Sequence, residues 1–380
     1  MPVHGVKARR YYIKLEPNNK TVSLPLQDHI IKAWPEHNFL VSIIQNKPTA
    51  YDWIMNTYIQ SYASHWRGYG FEDRRVTFYP YGFHSHKTNV FDLCPFITKY
   101  AIPWSMVNDM YAAFSDFIIY AIDHGFYLSC SLDQFFIPGM DGETGFTHPN
   151  YFYGYDVEKQ LVFLVDNLKD GKYTALAVSF TEINTAFNLL EDIHGQHQFF
   201  KSTFLYELVN RDYIFDLSLL LDQLKDYLEP GGNMCYMNRF LTLLDNNSEI
   251  LAVYFGIDCY KLMHNYLEEI IELHKSDDLD WRAFVYLCDH KKLMRLRVEY
   301  LMRQGYLPED QLFSRDCIAL ERECKMLLNL FLKYHVTKNM QHIQRALNIL
   351  ETIKAGDRKI ITSLIQQLER YQQTPGKAPH

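Results

Sequence analysis

Paired cysteines are what the sequence most plainly lacks. Its seven cysteines, Cys94, Cys130, Cys235, Cys259, Cys288, Cys317 and Cys324, are odd in number, scattered, and never spaced as CxxC. That argues against a disulfide framework and against a structural zinc site. Long apolar runs are missing too: none approaches the roughly 18 residues of a spanning helix. Met1 to Arg10 is basic but leads into Tyr11-Tyr12-Ile13-Lys14 and not into an apolar segment, so no signal peptide is read there and the chain is expected to be cytoplasmic. There is no basic excess. The formal net charge is -7, which gives no sign of a nucleic-acid footprint. Glycine-rich phosphate loops, a Gly-x-Ser-x-Gly elbow and a dinucleotide fingerprint are absent, and Gly231-Gly232 reads as a helix C-cap. The pairs His84/His86 and His194/His197 have no acidic or cysteine partner at ligand-like spacing, so neither a metal nor a bound cofactor is expected.

Rings are plentiful: 28 Tyr and 25 Phe bring the aromatic share to 15%, which favours large buried side chains and ring-lined clefts. With 48% hydrophobic and 22% charged residues the chain is globular, and 380 residues suit two domains. Up to about residue 190, strand-like runs interleave with helical ones. The strand runs are Val76–Tyr79, Tyr127–Leu132, Asn150–Tyr155, Leu161–Val165 and Ala175–Ser179, rich in β-branched and aromatic residues and bounded by Gly, Pro and Asp. The clearest helix of this half is expected over Trp104–His124. From about 195 the pattern turns helical almost throughout, with helices expected over Asp216–Leu228, Tyr260–His274, 281–304 and 310–334 and a final pair near 338–370.

Gly125 to Phe187 carries the chemistry. A buried strand ends at Asp133, a second begins at His148, and a third runs from Leu161 into Asp166-Asn167. If the turn between the last two has three residues, so that Asp156 faces Gln160, His148 lies opposite Leu168 and Asp166 is its diagonal neighbour. Such neighbours are about 7–8 Å apart, within reach of an imidazole and a carboxylate. A turn one residue shorter or longer would put one of the two on the other face. The spacing permits a His–Asp pair; a structural strand-edge His and Asp would look the same.

This stretch resembles the His strand of papain-like enzymes, especially peptidases that cleave double-glycine leaders. There a His is followed by an apolar strand and Gly-Tyr-Asp, then by a strand ending in Asp; His148, Gly154-Tyr155-Asp156 and Asp166 have that layout. A longer similarity is to the family of the N-terminal domain of butirosin biosynthesis protein H, from bacterial nonribosomal-peptide and polyketide gene clusters. Leu24-Pro25-Leu26, Trp53 to Gln60, Asp133 through Asp166-Asn167, Asp280-Trp281-Arg282 to Leu301, and Lys333-Tyr334 carry it. The resemblance implies a papain-like fold for the α+β domain, 1–194; the change of pattern sets an all-α helical domain over 195–371, and the polar end with its two prolines is expected to be a disordered tail over 372–380. The resemblance also implies acyl transfer or cyclisation from a carrier-protein thioester, with His148 as base and Asp166 as its orienter. The phosphopantetheine arm of an acyl or peptidyl carrier protein would then be part of the substrate.

Papain-like enzymes attack with a Cys at the start of an early helix. Here that segment is Trp34-Pro35-Glu36-His37-Asn38-Phe39-Leu40-Val41-Ser42-Ile43-Ile44. Pro35 suits a first helical turn, but there is no cysteine. Three readings stay open: His148 as a general base for direct attack of an amine on a thioester; a substitute nucleophile among Ser42, Cys94 and Cys130; or a domain that binds without turnover. Asp133 is a candidate to orient a substrate amine, or a turn cap. Tyr51, Trp53, Tyr58, Tyr62, Trp66, Tyr69 and Phe71 line an acyl channel or fill a core. Asn56 and Gln60, one helical turn apart, are candidates to meet a substrate amide. His290 and Arg297 interrupt an apolar stripe and answer either to structural pairing or to a phosphate.

Overall fold

The computed structural model describes residues 20–28, 30–68, 71–79, 90–139, 147–167, 172–189, 202–230, 248–277, 279–309 and 311–374. The expectations for Tyr69, His84, His86, His194, His197, Gly231-Gly232, the boundary near Gly195 and residues 375–380 of the tail lie outside these residues; Gln372 and Gln373, read as the start of the tail, end the last helix. The protein is mixed α+β. Two compact units interleave along the chain: one comprises 1–29, 35–46 and 86–211, the other 30–34, 47–85 and 212–380. They are therefore not the contiguous halves that the sequence pattern suggests.

In the first unit an antiparallel sheet runs in the order β4 (Ile97–Pro103), β9 (Ser202–Leu208), β5 (Phe126–Asp133), β6 (Thr147–Asp156), β7 (Leu161–Asn167), β8 (Tyr173–Ser179). A short strand, β1 (Thr21–Ser23), pairs with the far end of β6. Gly154 makes that pairing possible, because a Cβ there would stand 2.5 Å from Val22 O and 2.7 Å from the Phe163 ring. Strand β9 lies in the stretch read as helical; Ser202-Thr203-Phe204-Leu205-Tyr206-Glu207-Leu208 is a β-branched and aromatic run, and it closes the gap between β4 and β5.

Alternate residues of these strands serve two layers. Leu128, Phe152, Leu164 and Val178 pack with Phe114, Ile118 and Ile122 of α4 (Phe114–Asp123) and Ile183 of α5 (Phe180–Asn188). Tyr127 and Tyr151 instead meet Phe39 of α1 (Pro35–Ile44), with ring centroids 5.8 and 4.8 Å apart. Pro35 opens α1, where its missing N–H costs nothing. The expected helix Trp104–His124 is in fact two, α3 (Trp104–Met110) and α4, broken at Tyr111–Ala113. Met106 and Met110 are exposed, at 49% and 40%, so no single apolar face runs the whole span.

The second unit is helical with a small antiparallel sheet, β10 (Ser248–Phe255), β2 (Ser61–Gly68), β3 (Phe71–Phe78); the expected strand run at Val76 falls at the end of β3, whereas the helical reading past residue 195 does not anticipate β10. Its helices are α2 (Ala50–Thr57), α6 (Leu217–Leu228), α7 (Tyr260–Leu273), α8 (Arg282–Arg303), α9 (Gln311–Thr337) and α10 (Met340–Gln373). The expected final pair is thus one 34-residue helix. Gly356 does not break it; a Cβ there would lie 3.0 Å from Leu320 Cδ1, so the glycine serves close packing of α10 on α9. The segment 30–34 belongs to this unit because Asp289 accepts the backbone N–H groups of Lys32 and Ala33 at 2.5 and 2.8 Å. Among the described residues no helix is long and apolar enough to cross a membrane.

Candidate active site

The hairpin β6–β7 brings His148 and Asp166 together. The turn has four residues, not three, since Asp156 pairs with Leu161. Taken alone, that would put the two side chains on opposite faces. A bulge at Tyr153 restores the parity: beyond it Phe152 pairs with Leu164 and Tyr151 with Val165. His148 Nδ1 then stands 3.0 Å from Asp166 Oδ2.

Asp166 is fully buried and anchored at both oxygens. Asn150, two residues from His148 on the same face of β6, donates from Nδ2 to Oδ2 at 2.7 Å, and the Asn167 backbone N–H donates to Oδ1 at 2.7 Å. Asn150 is itself held, since Gln134 Nε2 donates to its Oδ1 and to the His148 carbonyl, both at 3.2 Å. A buried carboxylate with no freedom to turn fixes the imidazole ring and, in the neutral tautomer, places the proton on Nδ1 and the lone pair on Nε2. The imidazole remains about a third exposed (34% of its side chain), so it is open to a substrate. Burial alone would lower its pKa. The charge and hydrogen bond of Asp166, joined by the charge of Glu36 on α1, outweigh burial and raise it above the ordinary value of 6.5.

The nucleophile expected of a papain-like site is missing from α1. Ser42 is buried and donates to the carbonyls of Asn38 and Phe39 at 2.9 and 3.0 Å. Burial pushes the thiols of Cys94 and Cys130 up to about 12, so neither offers a thiolate near neutral pH. Asn38, in the same first turns of α1, is completely buried, and both its amide atoms are without a hydrogen-bond partner among the described residues.

Asp133 ends β5 near this cluster in sequence. It is fully buried, and its Oδ1 accepts the Phe135 N–H at 3.1 Å, the capping geometry of a turn.

The remaining candidates gather elsewhere, at the C-terminus of α2 in the second unit. A helix end leaves carbonyls without partners. Arg297 Nε donates to Met55 O at 2.7 Å and its Nη2 to Tyr58 O at 3.0 Å. Gln223 Nε2 takes Asn56 O at 2.6 Å. His290 Nε2 takes Ile59 O at 2.8 Å. Asn56 Oδ1 accepts the Asp216 N–H at 2.6 Å while its Nδ2 donates to Asp216 O at 2.8 Å. Gln60 donates to Gln223 O at 2.7 Å. Tyr58 is wholly buried against the rings of Trp53 and Phe78. Arg297, with no exposure, meets backbone carbonyls here and no carboxylate among the described residues; burial lowers its pKa to about 9. Arg297, His290 and Gln223 thus cap the carbonyls at the end of α2, while Asn56, Tyr58 and Gln60 are buried around the same turn. What sequence reasoning missed around His148 and Asp166 was Asn150 and Gln134. Their signal was present only as polar residues inside strand and turn runs that otherwise read as core.

A scan against protein-family models gives no match for this chain, and a search of curated proteins gives none either.

Proposed function

We propose that the protein is an accessory enzyme of nonribosomal-peptide or related natural-product biosynthesis, transferring or cyclising an acyl group held as a carrier-protein thioester. The observation that carries the reading is the 3.0 Å contact of a part-exposed His148 with a buried, doubly anchored Asp166. An antiparallel sheet bearing His148, with a proline-initiated α1 packed on it, supports a papain-like ancestry for the first unit.

With no cysteine in α1 and the Cys94 and Cys130 thiols buried, the acyl group passes directly to an incoming amine. The amine nitrogen adds to the thioester carbonyl and the C–N bond forms. His148 Nε2 takes the proton that the nitrogen sheds, and delivers it to the sulfur as the C–S bond breaks. The Asp166 carboxylate stabilises the imidazolium in between. Thioesters are activated already, so a positioned base suffices. Incubating the full chain with acyl-loaded carrier proteins and candidate amines, and reading amide formation by mass spectrometry, tests this. Product formation that persists after iodoacetamide treatment supports it; product lost after that treatment points to an enzyme thiol.

The absence of a cysteine from α1, with Cys94 and Cys130 both buried, also favours a second reading, a non-catalytic module that binds a carrier protein or peptide intermediate. It predicts binding that survives His148→Ala with no product at any stage.

A further inference from the structure

Helices α9 and α10 enclose a groove of about 370 Å³ that is lined by Arg322, Lys325, Lys333, His342 and Arg345, with Met326 beside them and no carboxylate in the lining. In a chain whose formal net charge is -7, such a one-signed patch is a local exception. Only Lys325 is neutralised, by Glu321 at 2.6 Å; Arg322, Lys333 and Arg345 enter no ion pair among the described residues. His342 Nδ1 is buried without a hydrogen-bond partner among the described residues. Three unpaired cations repel one another and invite an anion.

Their layout decides which anion. Arg322, Met326, Asn329 and Lys333 fall at i, i+4, i+7 and i+11 on α9, one stripe about 16 Å long at 1.5 Å per residue. A single phosphate needs donors that converge on one point. Here the charges are strung along three helical turns instead. Between them Met326 is 44% exposed, and Val336 continues the stripe at 79% exposure. Apolar surface flanked by charge of one sign is the anatomy of a protein contact, with the charges steering and the apolar groups holding.

We infer that this groove docks an acidic helix of a partner protein, one that presents carboxylates at helical spacing around an apolar residue. The inference does not depend on the acyl-transfer reading, because it uses none of the residues of the His148 cluster.

The probe is a synthetic helical peptide with glutamates on one face around a central leucine, titrated into the full chain and followed by fluorescence anisotropy. The account expects saturable one-to-one binding that weakens as salt rises. The variant Arg322→Glu/Lys333→Glu, whose melting temperature checks that it folds, should lose affinity at least about ten-fold, since like charges then face each other. The same variant should gain binding to a peptide carrying lysines in place of the glutamates. Absence of saturation, or equal binding by the variant, overturns the inference. So does pyrophosphate that displaces the peptide at lower concentration, which would give the groove to a phosphate ligand.

Discussion

His148 and Asn150 end on the same atom. The imidazole Nδ1 and the amide Nδ2 both reach Asp166 Oδ2, at 3.0 and 2.7 Å, while the carboxylate's other oxygen is held by the Asn167 N–H. The orientation of His148 is therefore set by three fixed groups and not by its own rotamer preference. Gln134 extends the chain of contacts to the end of β5.

Asp166→Asn tests the electrostatics of this arrangement. His148 has its pKa raised chiefly by the Asp166 charge against the opposing effect of burial. Removing that charge should lower the His148 pKa, readable as a downfield-to-upfield ring titration by NMR at lower pH than in the native chain. A raised folded-state pKa means that the pair stabilises the fold fully below about 6.5 and that this contribution fades as pH rises through the folded value. The variant should lose that pH dependence. Its turnover should also fall, because the amide no longer selects the Nδ1–H tautomer.

Arg297 supplies a second test, of structure alone. Replacing it with Met leaves the Met55 and Tyr58 carbonyls buried and without their donor, at about 1–3 kcal/mol for each orphaned group. Arg297→Lys should recover little, because an ammonium lacks the planar fork that reaches two carbonyls. Urea unfolding of both variants measures this; a Lys variant as stable as the native chain would show that charge, and not geometry, is what α2 needs.

The pair Lys291 and Asp357 gives a third. Both are about 1% exposed. Lys291 also donates to His290 Nδ1 at 3.0 Å, and Asp357 accepts the Tyr227 and Tyr260 hydroxyls at 2.7 and 3.2 Å. Burial and the adjacent Lys291 charge keep His290 neutral, well below its ordinary pKa. Asp357→Leu or Lys291→Met alone should cost about 3–5 kcal/mol, since each strands a buried charge. The double variant should be more stable than either single one in thermal unfolding.

Much of the first unit was legible because its strands are runs of β-branched and aromatic residues bounded by Gly, Pro and Asp. The His148–Asp166 pair was legible for a subtler reason. The four-residue turn and the Tyr153 bulge cancel, and each alone would have separated the two. Neither feature has a sequence signal strong enough to place it. Strand β9 and strand β10 were hidden because they lie among long helical runs, and pairing partners far along the chain decide their state. His290 and Arg297 stood out as polar breaks in an apolar stripe, but a sequence does not say whether such a break meets a ligand or a backbone carbonyl. The interleaving of the two units was out of reach for the same reason: residues 30–34 join the second unit through Asp289, more than 250 positions away.

The most direct test of the account is the rate of amide formation by His148→Ala against the native chain, with an acyl-loaded carrier protein and an excess of amine. General-base catalysis predicts a fall of about 10²–10⁴-fold with carrier binding unchanged. Turnover that survives the substitution intact would contradict the assignment of His148 as the base.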